Sequence, residues 1–358
     1  MSRYLGLRRL RGPRGEHGSR GFQGFRAFRG RGRSVLVTAA SVTALSLTAS
    51  GCVVVHGERE VLPATTRAEA AAALQEFTAA YNKADEAYDS SLDAEYTTGA
   101  LADIDSARLT AGKANSPDGN ARHTPLKLTD AKFTIPEKAG WPRWFLADAA
   151  GNKGGGSRWL LVFTRSGLED TWEAAYLTLV SPDALPEFAV DEDGWAEAVP
   201  ADATGLAVPP GELSAAYATY LKGGGTGGKG AAAFAEGPHT SAWRALRTKK
   251  STRPGLATQY IDEPMTNGDY APLALRTEDG GALVFFTTRH FEKQTAAAGT
   301  SVPAPNKDVL ALTTGEIRQT LTMEFVSNEV ALNPGDDGGD GEVEILGRIQ
   351  GLTAAKGE

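Results

Sequence analysis

Arg158-Trp159-Leu160-Leu161-Val162-Phe163-Thr164-Arg165 is an apolar run of strand length, and a related run, Ala282-Leu283-Val284-Phe285-Phe286-Thr287-Thr288-Arg289, returns in the second half of the chain. Both follow a glycine-containing turn and both are rich in aromatic and β-branched residues, so each reads as a strand. Around the first run, further strand-length segments stand at 127–135, 144–149 and 172–180, separated by Gly, Pro or acidic turns. A fifth, 188–199, is interrupted at Asp193-Gly194. Around the second run the corresponding segments are 256–261, 272–277, 316–327 and 342–352.

Helical signals precede each group of strands. Thr66 with Glu69 three residues later forms a capping-box pattern. Leu74, Phe77, Tyr81, Ala84 and Tyr88 then recur at spacings of three and four, which puts one apolar stripe on a helix. A weaker helical stretch runs over 92–109. In the second half Pro209-Pro210 opens a helix with Leu213, Tyr217, Tyr220 and Leu221 on its apolar face, and another helix spans 240–249. The order helix, helix, strands therefore occurs twice, which predicts an α+β fold built as a tandem repeat. The expected divisions are a leader at 1–51, a tether at 52–65, and α+β domains at 66–200 and 209–358.

A helix packed on a curved antiparallel sheet resembles the NTF2-like and cystatin-like folds. That resemblance rests on element order and implies one helix stripe buried against one sheet face in each half. The whole chain resembles two-domain lipoproteins of actinobacteria.

The amino-terminal region carries a different kind of information. Ten Arg and one acidic residue, Glu16, lie in the first 33 residues, and no charge lies between Ser34 and Ser50. A basic head, a short apolar stretch and small residues before a processing point read as a secretory signal. The apolar stretch is short for a membrane-spanning helix. Arg8-Arg9 leaves both the general secretory and the twin-arginine routes open. Leu47-Thr48-Ala49-Ser50-Gly51-Cys52 resembles the lipobox of a bacterial lipoprotein, with Ala49 where Leu is commonest. The resemblance implies cleavage between Gly51 and Cys52, diacylglyceryl and fatty-acyl (palmitate-type) modification of Cys52, and residence on the outer face of the cytoplasmic membrane. Two acyl chains suffice for stable anchoring. Cys52 is the one cysteine in the chain, so no disulfide and no cysteine-ligated metal is expected.

Of 37 Lys and Arg and 44 Asp and Glu, 27 and 43 remain after residue 51, a net charge of −16. Such an acidic surface repels phosphate backbones and argues against nucleic-acid binding. The partners that fit are the membrane, through the lipid on Cys52, and an envelope protein or wall polymer.

Gly223–Gly230 comes close to a phosphate-binding loop, but Gly230 stands where a hydroxyl would hold a metal and the loop follows a helix, so it reads as a linker. Asp336–Glu342 lacks the spacing of a calcium loop and reads as a hairpin turn, as Asp191-Glu192-Asp193 reads as a turn. Trp141, Trp144, Trp159, Trp172 and Trp195 cluster in the first half, as strand packing or as a glycan platform, which makes the first half the favoured location for a ligand. His56, His123, His239 and His290 lack metal spacing, and His290, with Glu292 nearby, reads as a hydrogen-bonded surface residue. No cofactor is implied and no catalytic signature is present. Three functions stay open: an envelope-binding module, a carrier of a small apolar ligand between helix and sheet, and an enzyme of unrecognised type.

Overall fold

Thr66 opens the first helix. Its hydroxyl accepts the Glu69 amide at 3.1 Å, and α1 (Arg67–Ala87) follows. Ala70, Ala73, Leu74, Phe77, Ala80 and Ala84 form its buried stripe, and the helix ends at Tyr88, which adopts a left-handed conformation (φ 50°). The predicted helix over 92–109 is a single 3-10 turn, Ser90–Leu92, followed by α2 (Gly99–Asn115). The displacement has a physical cause: Thr97 and Thr98 are held extended against Ala174 of the first sheet.

The computed structural model describes residues 60–223, 234–336 and 341–358, all of which fall in one unit, Val54–Glu358. The expected leader at 1–51 with Gly51, the expected modification site Cys52, the expected tether up to residue 59, the glycine-rich stretch from 224 and residues 337–340 lie outside the described residues. The chain is already part of the fold at Leu62–Pro63, which pairs with Glu137–Lys138, and Ala64 is buried.

The first sheet is an antiparallel meander of β1 (Leu128–Thr134), β2 (Arg143–Gly151), β3 (Arg158–Arg165) and β4 (Glu173–Val180), in that spatial order. Phe145 stands opposite Phe163, and Leu161 opposite Leu177, on the face that receives α1. The region predicted as a fifth strand is mostly loop, with only Ala196–Glu197 in strand form, broken at Gly194 (φ 78°).

In the second half, α3 (Leu213–Leu221) and α4 (Ser241–Lys250) precede β5 (Leu256–Met265), β6 (Leu273–Arg276), β7 (Ala282–Ala296), β8 (Thr320–Asn333) and β9 (Glu344–Gly357). Both β5 and β6 pair with β7, which pairs with β8, and β8 with β9. The two runs that look alike in sequence hold different places: β3 is third in its meander, whereas 282–289 opens the second strand of its own. Their likeness follows from environment. Each is flanked by strands on both sides and buried on both faces, which selects a continuous apolar run.

The remaining faces of the two sheets meet. Trp144, Leu160, Val162 and Tyr176 share a cluster with Leu275, Leu283, Phe285 and Val330, so the cores of the two halves are continuous. Two glycines permit the close approach. A Cβ on Gly347 would lie 2.8 Å from the Leu179 carbonyl, and one on Gly351 would lie 2.6 Å from Ile104 of α2. The fold is α+β, with two mainly antiparallel sheets: α1 covers the outer face of the first, α3 and α4 that of the second, and α2 packs between the halves against Val326 and Gly351.

Candidate functional site

Strand alternation sends Phe286, Thr288, His290 and Glu292 of β7 to the face covered by α3 and α4. Directly opposite residues in an antiparallel pair share a face. Glu329 stands opposite Phe286, Ser327 opposite Thr288 and Asp262 opposite His290, while Arg348 of β9 stands opposite Glu329. Beneath α4 this face is therefore polar and charged, whereas beneath α3 it is apolar, with Val284 and Phe286 packed on Leu213 and Tyr217.

Its polar groups are deeply buried. Arg247 is 4% exposed, Asp262 2%, His290 1% and Glu329 0%. Arg247 is the buried residue of α4, so this helix meets the sheet through a guanidinium. Nη1 of Arg247 donates to both carboxylate oxygens of Asp262, at 2.8 and 2.9 Å. Arg348 donates from Nε to Glu329 Oε1 at 3.3 Å and from Nη2 to Ser327 Oγ at 3.0 Å, and the Thr288 hydroxyl donates to Glu329 Oε1 at 2.7 Å. Both guanidinium groups lie over the Trp243 ring, at 4.9 and 4.7 Å from its centre, and Arg247 also lies over Tyr260.

Several buried atoms in this layer have no hydrogen-bond partner among the described residues: Nε and Nη2 of Arg247, Nε1 of Trp243, Nε2 of His290 and Oε2 of Glu329. A buried unpaired polar group costs about 1–3 kcal/mol, and native proteins hold few of them. Five around one helix form a concentrated set. Burial pushes the Glu329 carboxyl up to about 8, despite Arg348 and Thr288, so it carries a proton at neutral pH. Burial pushes the His290 imidazole down from its ordinary value, partly opposed by Glu292, whose Oε1 lies 3.7 Å from Nε2. His290 is thus a buried neutral ring stacked on Phe325, not the surface residue its strand-end position suggests.

A second polar site lies where the halves meet. A cavity of about 630 Å³ is walled by the 90–97 segment, by α2, and by Leu312 and Thr353. Asp93, on its wall, is 2% exposed. Oδ2 of Asp93 and Oδ2 of Asp105 are both buried without a donor. Two carboxyl groups can hydrogen-bond to each other when one carries a proton, and burial together with Asp105 pushes Asp93 up to about 8. Arg108 holds Asp105 at 2.7 Å and Asp85 at 2.5 Å, and Asp85 meets His123 at 2.7 Å.

The residues singled out in the sequence scatter. Trp144, Trp159 and Trp172 are buried in the first half, with Trp159 and Trp172 donating to the Lys153 carbonyl and Glu69 at 3.0 Å each. Trp141 and Trp195 sit beneath arginines at the surface. Asp191 folds back to accept the Asp193 and Trp195 amides, as a turn does. His123 pairs with Asp85, and His239 lies just before α4 with its carbonyl accepting the Tyr217 hydroxyl. Among the described residues no group of three or more His, Cys, Asp or Glu is placed to hold a metal ion, and no helix is long and apolar enough to cross a membrane. The unpartnered groups of the helix–sheet layer lie in the second half, not in the tryptophan-rich first. Sequence reasoning missed Arg247, Asp262, Glu329 and Arg348. The available signal was a charge inside an apolar strand, as in Val326-Ser327-Asn328-Glu329-Val330.

Comparison with other proteins places these features in a family. A model described as a domain of unknown function (DUF8094) matches residues 61–357. An uncharacterized lipoprotein of Streptomyces coelicolor is 75% identical over 320 residues, covering 89% of this chain and 94% of its own. An uncharacterized lipoprotein of Streptomyces avermitilis is 58% identical over 330 residues, 92% of this chain and 97% of its own. A further uncharacterized lipoprotein of Streptomyces coelicolor is 31% identical over 209 residues, 58% of this chain. No solved structure matches the chain. With a match over most of its length and relatives this similar, the chain belongs to the DUF8094 family, among lipoproteins of Streptomyces.

Proposed function

We propose that the protein is a lipid-anchored module on the outer face of the cytoplasmic membrane that binds a small polar ligand between α4 and the second sheet. The five buried polar atoms without partners on Arg247, Trp243, His290 and Glu329 carry this reading. At the aromatic interface under α1 the unpartnered set among the described residues is smaller, Nε of Arg165 beside Glu69 and Trp172. A carrier of apolar ligands fits less well, because charged residues occupy the layer where an apolar pocket would lie.

Anchoring is by diacylglyceryl on Cys52 after cleavage behind Gly51, with both halves derived from one unit resembling the NTF2-like or cystatin-like folds. The relatives that support this are lipoproteins, and an alignment of 320 residues within 358 leaves at most 38 outside it, so it runs through Cys52. The repeated order of two helices and an antiparallel meander supports the common unit. The expected divisions at residues 66–200 and 209–358 follow that repeat.

Two measurements test the reading. Cys52→Ala is expected to abolish labelling by a radioactive fatty acid and to leave the protein unprocessed or released; normal membrane attachment of a processed Cys52→Ala protein would sink the anchor. The full-chain protein, purified from its own membranes and analysed by native mass spectrometry, is expected to retain a bound small molecule that Arg247→Lys loses. Protein that emerges empty would remove the binding role.

A further inference from the structure

The geometry points to a carboxylate monoanion as the ligand of the α4 site, gripped by the free edge of the Arg247 guanidinium; this deepens the binding reading above and rests on it. A guanidinium offers its N–H groups along defined edges. Nη1 is occupied by Asp262. The edge formed by Nε and Nη2 carries two nearly parallel N–H bonds, the arrangement that matches the two oxygens of one carboxylate. Both atoms are buried, and neither has a partner among the described residues.

The neighbouring groups favour an acceptor as well. Trp243 Nε1–H is a donor without a partner, and Glu329 in its protonated form adds an O–H donor at Oε2. The unpaired set is thus mainly donors, and an oxyanion satisfies it. Charge narrows the class. Arg247 is balanced by Asp262, whereas Arg348 faces a neutral Glu329, which leaves one positive charge in the layer. Glu292, the neighbouring carboxylate on this face, is partly exposed and lies by His290. Arg348 is the buried cation without an ionised partner and matches a monoanion, whereas a phosphate dianion brings a second charge with no buried counterpart among the described residues.

Aromatic rings hold the fork in place. Arg247 lies between contacts to Trp243 and Tyr260, each 4.9 Å from the guanidinium carbon to the ring centre. A fork fixed in this way loses little freedom when a ligand docks.

Full-chain protein in detergent micelles is titrated with acetate, benzoate and succinate monoamide at constant ionic strength, beside benzamide, phosphate and chloride. Melting temperature and calorimetric heat are recorded. The expected result is a saturable rise in melting temperature with at least one carboxylate and none with benzamide. Arg247→Lys, which keeps the charge facing Asp262 but loses the fork, is expected to abolish the response. Trp243→Phe keeps the ring and removes one donor, and is expected to weaken binding about tenfold, so the test survives if Arg247→Lys fails to fold. Saturation by phosphate alone, weakened by Trp243→Phe, overturns the carboxylate class and leaves the binding reading standing. No saturable response to any of the three acids overturns the proposal. The broader reading falls with it only if protein from native membranes is also empty.

Discussion

The layers under α1 and under α4 are made of opposite materials. Under α1, Phe77, Phe145, Phe163 and Trp172 meet ring to ring, with Phe145 and Phe163 stacked 4.9 Å apart. Under α4, Arg247, Asp262, His290, Glu329 and Arg348 occupy the corresponding layer. The first arrangement stabilises by removing apolar area from water, roughly 1.5–3 kcal/mol for each large side chain. The second gains little from its Arg247–Asp262 ion pair, because desolvation offsets the attraction. The proposed binding reading rests on this contrast: a layer that adds little stability keeps five buried polar atoms without partners among the described residues.

The comparison breaks most visibly at the aromatic layer. Phe163→Ala is expected to cost about 3–5 kcal/mol in denaturant unfolding, through lost burial and a residual cavity. A loss below 1 kcal/mol would mean that the first interface is not the scaffold.

Cutting the polar layer tests the other side. Asp262→Ala leaves Arg247 buried and unpaired and is expected to cost about 3–5 kcal/mol. The paired change Arg247→Met with Asp262→Leu is expected to be near neutral or stabilising, while ligand binding disappears. If the double variant unfolds as readily as the single one, the pair serves the fold and not a ligand.

Each half also holds one proton that the unfolded chain releases, on Asp93 and on Glu329. Both carboxyl groups have folded values above their unfolded ones, so the folded state binds more protons between about pH 4 and pH 8. Stability therefore falls as pH rises through that window, by up to about 1.4 kcal/mol per pH unit for each group, and levels off above it. Asp93→Asn and Glu329→Gln are each expected to flatten the curve, read by denaturant midpoints across the window. An unchanged slope in either variant would show that its carboxyl is ionised in the fold.

The smallest effect concerns helix starts. α1 has a side-chain cap from Thr66, whereas α3 and α4 have none. Thr66→Ala is expected to lower stability by about 1 kcal/mol, by thermal unfolding. Thr240→Ala at the start of α4 acts instead through its hydroxyl's bond to the Ala235 carbonyl at 2.6 Å. Its effect on helix content should be smaller than that of Thr66→Ala.

Much of the scaffold was legible in the chain. The capping box at Thr66 and Glu69 and the stripe Leu74, Phe77 and Ala84 are local signals, and α1 forms where they predict. The runs at 158–165 and 282–289 are strands because continuous apolar sequence suits a central strand. The late start of α2 was not legible, since it depends on Thr97 and Thr98 pairing with Ala174 far along the chain. The site was hidden for a related reason. Asp262, His290 and Glu292 follow strand alternation as outward residues do, and α4, with Arg247, Lys249 and Lys250, reads as a solvent-facing helix.

Local chemistry by itself determined the start of α1, the central strands and the single cysteine set behind an apolar stretch. Tertiary structure decided which sheet faces are covered, that the two halves share one core through Leu283, Phe285, Val162 and Tyr176, and that a charged strand face became an interior. The reason is physical. Strand periodicity divides residues between two faces but carries no information about what lies against either one, and only the packed chain supplies that covering.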